Sequence, residues 1–324
     1  MKQKKYFSSE LKKIFKKELK INVKESDKIY DHVKWDSLGN FNILLACEKK
    51  FNLKFSNQEF SSISSFKEIL KVVKKKIFKN KIENLFKNLK ISRGDNILVH
   101  SNSAGIHQFF NKKKEKNLKF FIELVLNIIG KKGTLLIPAY NYDFTRGKIF
   151  NRKKSLSQVG ELSNFLINLN PSNRTYEPIF SHIVFGKLKE NLFNCDVKEA
   201  FGNKSIFNYI LDKNFKILCF CCSPATITFI HFIEKKINVN YRYDKYFKSF
   251  KIVNNKKIQT KYKYCVGKKN IDYSLKEKKI YNLLGSKLLT KDFGHFSCSQ
   301  INTKLLFKIV KSKLKKDNRF LINK

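Results

Sequence analysis

Apolar positions in the first eighty residues recur by threes and fours, the spacing of amphipathic helices. Leu11, Ile14, Phe15 and Leu19 share one face, with Ser8 and Ser9 ahead of them as caps. After a polar loop, Ser37 is expected to open a second helix that turns Leu38, Phe41, Leu44 and Leu45 inward. Ser65 is expected to cap a last helix with Phe66, Ile69, Leu70 and Val73 on its inner side. The lysine-rich stretch at residues 78–81 reads as a linker, so residues 1–78 are expected to form a small all-α bundle.

From residue 82 the period changes. Strands are expected over 95–100, 133–138, 181–186 and 215–222, and helices over 118–129, 162–169, 206–211 and 226–237. Alternation of this kind predicts an α/β layered domain over residues 82–324. A polar hairpin over 250–266, turning at Asn254-Asn255, makes the sheet mixed, and a final helix is expected near 300–314.

Composition changes this picture little. The 324 residues hold 42% hydrophobic positions, enough for two cores. The net charge of +42 would suit a nucleic-acid or membrane surface. The lysines are dispersed, however, and arginine, whose fork reads bases, is scarce, so no nucleic-acid partner is expected. No apolar run approaches membrane-spanning length. The seven cysteines show no paired metal-ligand spacing, and no metal is expected. Three of them, Cys219, Cys221 and Cys222, sit in an apolar run and read as core. Reduced thiols without a leader segment suit the cytoplasm.

The segment Trp35-Asp36-Ser37-Leu38-Gly39, with Glu48 to Phe55 and the helix after Ile63, resembles acyl carrier proteins. The resemblance implies 4′-phosphopantetheine on Ser37, a phosphopantetheinyl transferase to attach it and an acyl-loading enzyme. A phosphate at a helix start meets free backbone N–H groups and the positive dipole end. Where that family presents an acidic second helix, this chain has Glu48 beside Lys49 and Lys50.

Residues 82–324 resemble the aminoglycoside 3-N-acetyltransferase family. The segments that carry this are Gly94 to Ser101, Gly133 to Ala139 with Tyr142-Asp143-Phe144, Arg174 to Ser181, and Thr228 to Glu234 with Tyr241-Arg242-Tyr243. The resemblance implies an acyltransferase that moves an acyl group from a pantetheine thioester to an amine. His231 would be the general base, and Glu234, three residues on along a helix, shares its face. His100 and Ser101, at a strand end, would line the thioester site, and Arg174 and Ser181 would contact the donor. Ser103 is a weaker match to the family's serine-rich run, and His182, facing away from Ser181, reads as structural. Glu177 stands where antibiotic-modifying members have histidine, which weakens the transfer of antibiotic specificity.

The function expected is N-acylation of an amino sugar, such as a nucleotide- or lipid-linked one, or of a similar small amine, in surface-glycan or secondary-metabolite synthesis. Either acyl-coenzyme A or the chain's own carrier arm could be the donor. Aminoglycoside acetylation conferring resistance and a non-catalytic basic scaffold stay open as alternatives, as does attack by a hydroxyl.

Overall fold

The computed structural model describes residues 2–110, 114–195, 198–253 and 255–322. It divides into two units, residues 1–84 with 106–117, and residues 85–105 with 118–324.

The first unit is helical. Its elements are α1 (Lys2–Leu19), α2 (Ser37–Phe51), α3 (Asn57–Ser62) and the greater part of α4 (Phe66–Asn88). Phe7, Leu11, Ile14 and Phe15 are buried along α1. Ser8 and Ser9 therefore lie inside the helix and do not cap it, because Phe7 extends the apolar face by a turn; the Ser8 hydroxyl donates to Glu25. Trp35 is fully buried edge-on against Phe15, with ring centroids 4.6 Å apart, and its indole N–H donates to Asn40 Oδ1. Asn40 in turn donates to the Ile63 carbonyl at 2.8 Å, which ties the loop before α2 to the entrance of α4.

Two expectations for this unit are corrected. On α2 the buried positions are Gly39, Asn40, Ile43, Leu44 and Cys47, whereas Leu38, Phe41 and Leu45 are exposed. Packing of Trp35 on Asn40 rotates the helix so that its most apolar stripe faces outward. The supposed linker is the middle of α4, where Phe78, Ile82, Leu85 and Phe86 are buried at helical spacing. The lysines between them, good helix formers, lie on the solvated side.

The second unit contains β1 (Asn96–Ser101), α5 (Ala104–His107) and α6 (Lys114–Ile129), although parts of both helices group with the first unit. There follow β2 (Thr134–Pro138), β3 (Phe150–Asn151), α7 (Glu161–Leu169), β4 (His182–Gly186), α8 (Lys189–Phe193), α9 (Ile206–Asp212) and β5 (Lys216–Phe220). The chain ends with α10 (Phe229–Lys236), β6 (Arg242–Val253), β7 (Lys256–Gly267), α11 (Glu277–Leu284), β8 (Leu289–Phe293), β9 (Phe296–Asn302) and α12 (Thr303–Lys316). The main sheet is mixed, as expected, in the order β4-β2-β1-β5-β9-β8. The strands β2, β1 and β5 run parallel at its centre, and the others are antiparallel to their neighbours. All five residues of β2 are buried, which explains its unbroken apolar run.

The polar hairpin is longer than expected and pairs from Arg242↔Gly267 to Val253↔Lys256. Asn255 has the left-handed φ of 62° that two-residue hairpin turns need, and Asn254, expected beside it in the turn, lies outside the described residues. The last helix starts at Thr303, because Gln300 belongs to β9, a strand paired on both sides whose serines and glutamine conceal its burial. Among the described residues no helix is long and apolar enough to cross a membrane.

Candidate active site

The three parallel strands deliver their carboxyl ends to one side of the sheet, where α/β folds place binding residues. A cavity of about 410 Å³ opens there. His100 and Ser101 end β1, Pro138 ends β2 with Tyr140 and Tyr142 after it, and Cys222, Thr226 and Thr228 follow β5. Ser163 of α7 and His231 of α10 complete its polar lining, which among the described residues includes no carboxylate.

His231 and Glu234 occupy one face of α10, and the imidazole Nδ1 lies 2.8 Å from Glu234 Oε2. The imidazole is partly exposed and the carboxylate wholly buried. Burial opposes the carboxylate's charge, but His231, Arg242 and the Tyr241 hydroxyl outweigh it and hold the Glu234 carboxyl below its ordinary value. Tyr241 donates to Oε1 and Arg242 Nε donates to Oε2, both at 2.6 Å. Arg242 Nη2 also lies 2.8 Å from His231 Nδ1. The chain turns back at the end of α10 through Asn238, in a left-handed conformation, and Val239 N donates to Glu234 O. That reversal sets Tyr241 and Arg242 against the helix. Nothing in the sequence spacing of Tyr241 and Arg242 announces this contact.

His100 is buried at the cavity wall, and its Nε2 has no hydrogen-bond partner among the described atoms. Burial lowers its pKa to about 4, so the ring is neutral near pH 7. His182 is also neutral, lowered to about 3 by burial and then by His100. Its Nε2 meets the Tyr140 hydroxyl at 3.3 Å, and its ring packs edge-on against Tyr140 and Phe207. His182 therefore holds Tyr140 in the cavity wall. Ser101 lines the cavity, whereas the Ser103 hydroxyl donates to Glu161 at 2.5 Å.

Arg174 and Ser181, expected at the donor, are both fully buried away from the cavity lining. Arg174 Nε donates to Ser181 Oγ at 2.9 Å and Nη2 donates to the Ala139 carbonyl at 2.6 Å. Its Nη1 donates to the carbonyls of Arg152 and Ser155. The guanidinium thus fastens the 150–155 loop to the end of β2, a structural duty that leaves it unavailable to a substrate. Glu177 is buried nearby, accepting a hydrogen bond from Ile179 N at 3.0 Å. Burial nevertheless raises its pKa to about 7.

In the first unit, Ser37 is the first residue of α2 and is exposed. Asp36 is the cap, its carboxylate accepting from Gly39 N at 2.7 Å, and Tyr30 OH lies 2.8 Å from Ser37 Oγ. Gly39 is needed here, because a Cβ at this position would come within 2.3 Å of the Lys34 carbonyl. The hydroxyl is therefore exposed at a helix start, beside the Tyr30 hydroxyl.

The family profile for Aminoglycoside 3-N-acetyltransferase matches residues 98–315. No curated protein matches the chain. Among solved structures, the YokD protein of Bacillus subtilis is 14% identical, with a TM-score of 0.62 over 74% of this chain and 99% of that one. AAC-IIIb in a binary complex with CoASH is 15% identical, with a TM-score of 0.62 over 74% and 96%. Sisomicin-bound AAC-VIa is 14% identical, with a TM-score of 0.61 over 74% and 97%. At these identities the likeness is one of fold.

Proposed function

The chain belongs to the aminoglycoside 3-N-acetyltransferase family, acyltransferases that act on an amine, and from that membership we propose that it N-acylates an amino sugar carrying a single amine. The observation that carries this reading is the His231–Glu234 pair at a cavity whose lining holds no carboxylate among the described residues. A pocket for a polycation needs clustered acids to offset the desolvation of several ammonium groups. A nucleotide- or lipid-linked amino sugar brings one amine, and phosphates that a chain of net charge +42 attracts.

With Nδ1–H donated to Glu234, His231 turns the lone pair of Nε2 outward as a base. The amine nitrogen attacks the thioester carbonyl, forming the C–N bond, and His231 takes the amine's proton. Collapse of the tetrahedral adduct breaks the C–S bond, and the proton passes from His231 to the departing sulfur, leaving amide and thiol. His100 Nε2, neutral and unpartnered, is suited to donate to the oxyanion in between, with Ser101 beside it.

The donor in this reading is a pantetheine thioester, either free acyl-coenzyme A or the chain's own arm at Ser37. A fused arm would present the thioester at high effective concentration. Exchange of His231 for alanine tests the proposal. Acyl transfer to the amine should fall by about 10²–10⁴-fold while the thermal unfolding midpoint holds, and Glu234→Gln should lose less. Near-normal turnover of His231→Ala on an accepted amine would remove His231 as the base.

A further inference from the structure

Arg242 has no part in the chemistry described so far, yet it touches both members of the pair. Its Nε donates to Glu234 Oε2 at 2.6 Å, and its Nη2 stands 2.8 Å from His231 Nδ1. The side chain is almost fully buried, lies over the Tyr273 ring at 5.3 Å, and reaches the Cys265 carbonyl at 3.5 Å. A guanidinium this confined cannot swing away. His231 Nδ1 can donate to Glu234 or accept from Arg242, never both at once.

The remaining titratable groups of the described cavity lining are a histidine, two tyrosines and a cysteine. Across the cavity His100 is neutral, burial pushes Tyr142 up to about 12 and Tyr140 well above its ordinary value, and the Cys222 thiol, beside Thr226, is held below its ordinary value mainly by Cys219. On α10, Lys235 is paired with Asp244. The charges that bear most closely on the imidazole are thus one carboxylate and one guanidinium.

A buried carboxylate alone would bind imidazolium as a lasting ion pair and hold the proton there. Base catalysis followed by proton return needs an imidazole that both accepts and releases. We infer that Arg242 is a positioning residue whose charge offsets that of Glu234 and so weakens the hold on imidazolium, leaving Nδ1–H on Glu234 while His231 Nε2 takes the amine's proton and gives it up to the departing sulfur. This rests on the reading of His231 as the base.

The test is the pH dependence of kcat/KM for the full chain with acetyl-coenzyme A and an accepted amine. The amine's own ionisation is common to all variants and cancels in the comparison. Removing a cation favours the protonated imidazole, so in Arg242→Gln the acid limb should move to higher pH by about one unit or more. The loss is then about tenfold or more on the acid side and fades at alkaline pH. Arg242→Lys, which keeps the charge, should keep the wild-type limb. Glu234→Gln leaves the guanidinium unopposed and should move the limb to lower pH, which decides the matter if Arg242→Gln does not fold. An equal loss at every pH in Arg242→Gln, or an unmoved limb in Glu234→Gln, overturns the inference. Normal turnover in His231→Ala would instead overturn the base assignment on which it rests.

Discussion

Glu177 carries more consequence than its absence from the cavity lining suggests. Its pKa rises from an ordinary 4.5 to about 7 on folding, mainly through burial. Between those values the folded chain binds more protons than the unfolded chain, so stability falls as pH rises through the window. Glu177→Gln removes that slope. Relative to wild type, the variant should gain on the order of 2 kcal/mol between pH 5 and pH 8, read from urea unfolding at several pH values. A difference that stays constant with pH would show that Glu177 is not the group that titrates. That His231 and Glu234 share a face was legible in the sequence, because an i, i+3 pair on one helix is fixed by helical geometry. Arg174 and Ser181 were misplaced because a matching segment identifies residues without saying which way they point. Arg242 was missed because its contact depends on how the chain reverses after α10.

Secondary elements were legible where burial is two-sided and apolar. The strands β1, β2 and β5 announced themselves in this way, and so did the face of α4 carrying Phe66, Ile69, Leu70 and Val73. The strand β9 did not, because buried serine and glutamine carry no apolar signal. On α2 only Leu44 of the expected inner face is buried, because the deciding contact is polar, Asn40 with Trp35 and Ile63, and outweighs the stripe of Leu38, Phe41 and Leu45. The N-terminus of α2 leads to a direct test of the carrier reading. Protein purified from its native host should show the mass of a phosphopantetheine arm, and Ser37→Ala should lack it. An unmodified wild type would leave coenzyme A as the donor and remove the carrier role from the first unit.

At the scale of the whole molecule, 68 basic residues face 26 acidic ones. Such a field repels polycations on approach and draws in phosphate-bearing molecules, an effect that weakens as salt is added. A basic setting also favours the neutral, attacking form of an amine. The cavity sharpens both effects, since its described lining has tyrosine, serine, threonine and histidine where a polycation would require acids. The decisive measurement is turnover with pantetheine-loaded enzyme and with acetyl-coenzyme A, comparing nucleotide-linked amino sugars with a panel of aminoglycosides. Acylation of the single-amine sugars with poor turnover of the aminoglycosides is the result expected, and efficient acylation of the aminoglycosides with none of the linked sugars would contradict it.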